Sequence, residues 1–340
     1  MLLRVLTFLL FMMAVTLPAS AVEEPWVELP EDQAIREQTK AAFLAGQFDR
    51  LDTWADDYLA SRSKTASGNW KLLIFYSTFG YYPHFLYADY DDATLARMAG
   101  QAQKWIDARP HSRAARIVMG LALMDRAWVC RGRDALPRIS LECWATYFKY
   151  KKQSFDYLMS VRQEAADDPQ WYAAMLTAML PEGPQLGDPQ AMAREAVSKF
   201  GDYGGIYEPI VLINAPLFGA RQATLDELIE KAADAVGGTE GDIVYAKIYL
   251  IVAERITREY TFGQTRAMWA RLDVGFEALL KRYPTERYRN AYALFACLAG
   301  DKRRIRDLTP QVIASGPLPE VWFDRKDLAE ACLEYANRQG

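Results

Sequence analysis

Apolar residues recur at helical spacing along most of this chain. In the segment 223–235, Leu225, Leu228, Ile229, Ala232 and Ala233 form a single stripe, the mark of a helix with one face covered. Ala114 to Trp128 is apolar on nearly every side (Ile117, Val118, Met119, Leu121, Leu123, Met124), and Ile243 to Ala253 carries only Lys247 as a charge. Helices of that kind are enclosed by others. The pattern predicts helices near 32–45, 48–61, 69–80, 92–108, 112–129, 140–166, 169–180, 189–200, 204–214, 223–235, 240–258, 265–282, 286–299, 302–314 and 319–337. No stretch alternates apolar and polar residues between hairpin turns, so no sheet is expected.

The punctuation repeats. Pro30 is followed sixteen residues later by Gly46, and Pro284 sixteen residues later by Gly300. Each proline suits a helix start and each glycine the left-handed residue after a helix end. An apolar residue, Leu51 or Ile305, follows each glycine by five positions and begins a second helix. Pro110, Pro169 and Pro189 mark further starts. This is the grammar of stacked αα hairpins. With an inner and an outer layer, about 14–16 helices form a curved array over residues 32–340. A solenoid of this kind can exceed the size of a single compact core.

The first 21 residues stand apart. Arg4 is their one charge, Val5 to Leu17 is apolar, and Pro18 precedes Ala19-Ser20-Ala21. This predicts a signal peptide cleaved after Ala21, an exported product and no membrane span in the mature chain. An uncleaved anchor is the rival, but a spanning helix needs about 20 apolar residues. Residues 22–31 are expected to be an extended lead-in. Setting aside Arg4 leaves 39 basic and 44 acidic residues, a formal charge of −5, which argues against a nucleic-acid surface. The runs around Lys149, Lys151 and Lys152 and from Lys302 to Arg306 are expected to be solvated helix faces.

Pieces of the chain resemble a known family. They are Ala127-Trp128-Val129-Cys130-Arg131-Gly132, Pro169-Gln170-Trp171-Tyr172, Pro216-Leu217-Phe218-Gly219 and Ala296-Cys297-Leu298-Ala299-Gly300-Asp301. Together they are similar to the bacterial domain-of-unknown-function family 4034, over roughly residues 40–337, with Phe218 where tryptophan is expected. The resemblance implies a tetratricopeptide-like right-handed superhelix. It supplies no catalytic residues, because the family has no established activity.

Candidate chemistry is sparse. Two histidines, His84 and His111, leave little material for zinc or for a nucleophile–base pair. His111 is expected just inside a helix start beside the cap Ser112. Gly204-Gly205 and Gly237-Gly238 match no phosphate-binding pattern, so neither a cofactor nor a metal is expected. The best binding segment is 81–92, where Tyr81, Tyr82, His84, Phe85, Tyr87 and Tyr90 crowd a proline-broken loop; the alternative is core packing. Asp89, Asp91 and Asp92 are candidates for acid–base chemistry; the alternative is that Asp91 or Asp92 caps the helix starting near Ala93. Trp128 with Arg131 is either an anchor pair for a partner or, with Gly132, a helix-end cap. Lys247 is either a shifted base beside Tyr245 and Tyr249 or a structural lysine that snorkels or pairs with Asp242 or Glu254.

Cys130, Cys143, Cys297 and Cys332 form an even set in a chain expected to be exported. Cys297 lies 13 residues after Pro284, and Cys332 lies 13 after Pro319, with one helix between. If both prolines open helices, the two cysteines stand at equal height on parallel neighbours and can bond. Cys130 and Cys143 pair by elimination. Buried free thiols are the alternative. The expected role is protein or peptide binding in the bacterial cell envelope, without catalysis; the alternative is a carbohydrate-active enzyme, a glycoside hydrolase or polysaccharide lyase, on a closed αα toroid.

Overall fold

The computed structural model describes residues 29–80, 92–131, 138–216 and 222–335. Among these, fifteen helices of seven or more residues follow one another. They are α1 (Pro30–Leu44), α2 (Phe48–Ser61), α3 (Lys71–Ser77), α4 (Asp92–Ala108), α5 (Arg113–Arg131), α6 (Leu141–Ser160), α7 (Pro169–Ala178), α8 (Pro189–Phe200), α9 (Tyr207–Ile213), α10 (Gln222–Val236), α11 (Gly238–Val252), α12 (Trp269–Arg282), α13 (Glu286–Leu298), α14 (Lys302–Ser315) and α15 (Lys326–Tyr335). The described chain is an all-α helical-repeat fold, in which most helices pack against their neighbours in sequence.

The repeated punctuation has one atomic form at both ends. At Gly46 (φ +69°) the Gly46 N–H donates to the Phe43 carbonyl at 3.1 Å, and the Gln47 N–H to Ala42 at 2.9 Å. At Gly300 (φ +73°) the Gly300 N–H reaches Cys297 and the Asp301 N–H reaches Ala296, both at 2.9 Å. This pair of bonds closes a helix whose next residue must be left-handed, which glycine adopts without a Cβ clash. Leu51 and Ile305 then begin the buried faces of α2 and α14. The prolines are less alike. Pro30 occupies the first turn of α1. Pro284 lies outside α13, whose N-cap is Thr285, its side chain accepting from the Tyr288 N–H.

One cluster of buried apolar side chains runs from Ile35 to Leu333. At its centre all ten residues of α7 are buried. The stripe in α10 and the all-round burial of α5 and α11 follow the sequence pattern.

Several boundaries differ from expectation for identifiable reasons. The segment 140–166 breaks at Val161, where the Trp171 indole N–H occupies the Leu158 carbonyl at 2.9 Å. Past Val252 the helix widens into a π turn, Ala253–Thr257. The segment before Trp269 is not helical; the Met268 N–H donates to the Tyr245 hydroxyl at 3.1 Å. The last helix begins at Lys326, not 319. Val321, Trp322 and Phe323 sit in a buried turn, with Phe323 and Asp324 at positive φ and Asn290 Oδ1 accepting from both the Leu318 N–H and the Trp322 indole.

The segment between α2 and α3 doubles back as a small hairpin. Thr65 N–H donates to Asn69 O at 2.9 Å and Lys71 N–H to Ser63 O at 2.8 Å. Trp70 at its base is 1% exposed and meets the Tyr203 ring edge-on, 5.3 Å between centroids.

Candidate functional site

Trp128 and Arg131 come together at the end of α5, but not as a free anchor. The Arg131 side chain is 12% exposed and its Nη2 donates to Glu182 Oε1 at 3.0 Å. Glu182 follows α7; its second oxygen accepts from the Tyr147 hydroxyl at 2.7 Å. The guanidinium lies 5.5 Å from the Trp128 ring centroid and 5.9 Å from that of Trp144. Trp144 stacks on Phe148. Rings and carboxylate together satisfy a cation taken out of water. Arg131 therefore clasps α5 and α6 to the chain beyond α7, a role that neither expectation for it described.

Lys151 completes this clasp and departs from the solvated face expected of its cluster, which Lys149 and Lys152, both exposed, follow. It is 2% exposed, and its ammonium donates to the carbonyls of Leu180 and Glu182. Burial pushes its pKa down to about 8, against the opposing pull of Glu182. Arg304, in the other basic run, is likewise committed. It pairs with Asp273 at 2.8 Å and Glu277 at 3.0 Å while lying over the Tyr292 ring.

Tyr81, Tyr82, His84, Tyr87 and Tyr90, with Asp89 and Asp91, lie outside the described residues, as does the segment 1–28. Asp92 is the first residue of α4. His111 is exposed and stands before α5, outside the helix; Ser112 is the cap, its hydroxyl accepting from the Ala115 N–H at 3.0 Å.

The constellation invisible in the sequence is built around the hairpin. Tyr288 donates to the Ser67 carbonyl at 2.9 Å. Lys247 donates to the Gly68 carbonyl at 3.1 Å and to Asn69 Oδ1 at 3.3 Å. Lys64 pairs with Glu240, which also meets Arg282. Lys247 thus pairs with neither of its expected carboxylates: Asp242 holds Arg271 at 3.0 Å and Glu254 holds Arg287 at 2.5 Å. Burial first, then the positive charge of Lys64, bring Lys247 down to about 8, while Glu240 opposes them. Its donors point at main-chain and amide oxygens, so its work is to fasten the hairpin. The one local signal for this was the turn sequence Ser67-Gly68-Asn69; the partners lie about 180 to 220 residues away.

A shallow cleft of 440 Å³ lies between α12, α13 and α14. Its wall mixes the charges of Glu277, Lys281, Arg289, Arg304 and Asp307 with the apolar Leu280, Pro284 and Leu308 around Tyr292. Among the described residues no group of three or more metal-ligating side chains converges. No described helix is long and apolar enough to cross a membrane.

Both cysteine pairs are bonded, with Cα separations of 5.1 Å for Cys130–Cys143 and 5.6 Å for Cys297–Cys332. The second pairing matches the expectation, although its geometric premise does not hold. Neither Pro284 nor Pro319 lies in a helix, and α15 begins seven residues after Pro319. The cysteines meet because α13 and α15 pack directly. Compared with known proteins, the chain matches no family model, no curated protein and no solved structure.

Proposed function

We propose that this chain is an exported, non-catalytic scaffold of the bacterial cell envelope that binds a protein or peptide. The observation that carries the reading is the pair of disulfides within a stacked helical array. Structural disulfides persist in oxidising compartments, and αα arrays serve chiefly as extended recognition surfaces. The signal-like start agrees with it. The chain's own hairpin takes Lys247 of α11 and Tyr288 of α13, so a partner is better sought at the cleft over α12–α14 and at the aromatic segment 81–92.

The test uses purified, oxidised protein immobilised against envelope extract. A captured protein would be identified, prepared separately and titrated by calorimetry. Saturable binding, weakened by Arg289→Ala or Tyr87→Ala in a protein that keeps its melting temperature, supports the reading. Turnover of a polysaccharide, abolished by one Asp or Glu substitution, would favour the carbohydrate-active enzyme and overturn it.

A further inference from the structure

The two disulfides differ in one cysteine each: Cys297, like Cys130, is the penultimate residue of its helix, but Cys143 and Cys332 have different surroundings. Cys130 is the penultimate residue of α5. Cys143 lies in the first turn of α6, and its N–H donates to the N-cap oxygen of Ser140 at 3.1 Å. A helix N-terminus stabilises a thiolate, whereas a helix C-terminus opposes one. Both cysteines are partly exposed, as is Cys297. In the other pair Cys332 is 2% exposed and belongs to the apolar core. A thiolate leaving into that core loses its hydration, and direct attack on Cys332 is sterically closed.

We propose that Cys130–Cys143 is a thiol–disulfide exchange site, opened by a dithiol reductant through attack on Cys130, while Cys297–Cys332 is a permanent tie. The reductant's thiolate attacks Cys130 Sγ. A new S–S bond forms there as the old one breaks, and its electron pair leaves on Cys143 at the start of α6. The reductant's second thiol, as thiolate, then attacks its own sulfur in the mixed disulfide. Cys130 departs as a thiolate and takes up a proton. Two electrons have passed, and the dithiol has become a disulfide.

The fold tolerates this opening. The contact between α5 and α6 is the most extensive of any helix pair. Ser154 Oγ also holds the Gly120 carbonyl at 2.8 Å, and the Arg131–Glu182 bridge fastens the first residue of the disulfide loop to the chain beyond α7 independently of the S–S bond. Exchange therefore changes the tie between two helix ends without unpacking the helices.

The experiment exposes oxidised full-length protein to glutathione, quenches early with N-ethylmaleimide and maps the peptides. The expected products carry glutathione on Cys130 and maleimide on Cys143, and this pair opens at least about tenfold faster than Cys297–Cys332. Glutathione mainly on Cys143, or equally on both, overturns the assigned direction of attack. Equal or faster opening of Cys297–Cys332 overturns the division between the pairs. Circular dichroism of the selectively reduced protein should keep its helical signal; its loss would make the first disulfide structural and overturn the exchange role.

Discussion

Removing either member of the Arg131–Glu182 pair strands a charge that water reaches poorly. Arg131→Ala is expected to cost about 2–3 kcal/mol, less than a fully buried pair because both side chains keep about a tenth of their exposure. Adding Glu182→Gln should recover part of that loss, which urea unfolding of the two variants would show. Asp168 gives the pH signature. It is 2% exposed, and burial raises its carboxyl from 3.8 to about 6 despite hydrogen bonds from the Tyr76 hydroxyl and the Gln170 N–H. Between about pH 4 and 6 the native form keeps a proton that the unfolded chain has released. Raising the pH through that window therefore lowers this group's contribution, by about 3 kcal/mol in all. Asp168→Asn should remove that slope from the pH dependence of stability. The helix start at Pro169 was legible from the proline; the capping by Asp168, its burial and its bond to Tyr76, 92 residues earlier, were not.

Two glycines inside helices separate propensity from packing. A Cβ at Gly275 of α12 would stand 2.2 Å from the Asp242 carbonyl oxygen of α11, whereas one at Gly100 of α4 meets nothing within 4 Å. Gly275→Ala is expected to destabilise by about 2–4 kcal/mol, since main chain must move. Gly100→Ala should stabilise by up to about 1 kcal/mol through helix propensity alone. Thermal melts of the two variants should shift in opposite directions. Helix existence was readable because the apolar stripes have period 3.6 and prolines and glycines bracket them. The failures fall where tertiary contacts take over main-chain groups: Trp171 at Leu158 O, Tyr245 at Met268 N–H, and Asn290 in the turn at 318–324. A short-range pattern contains no record of such contacts. For the same reason the contacts that commit Arg131 to Glu182, Trp128 and Trp144 were not legible.

The Cys297–Cys332 bond joins α15 to the rest of the array. Replacing both cysteines by serine should cost about 3–4 kcal/mol in the chain-entropy estimate. Limited proteolysis would then cut first between Gly316 and Lys326 in the variant and not in the oxidised protein. The order of synthesis follows from the hairpin at 63–71. A linear array settles unit by unit as it is made, and it can gain or lose units in evolution. Here Ser67 waits for Tyr288, 221 residues later. At common translation speeds that is a delay of roughly 10–45 s. During that delay the Ser67 and Gly68 carbonyls of the hairpin lack the side-chain donors they will keep. An early product of the ribosome is thus finished by a late one, and deleting or duplicating any hairpin between them would move Tyr288 and Lys247 out of reach. The number of repeats is fixed by a ring of contacts and is not free to drift.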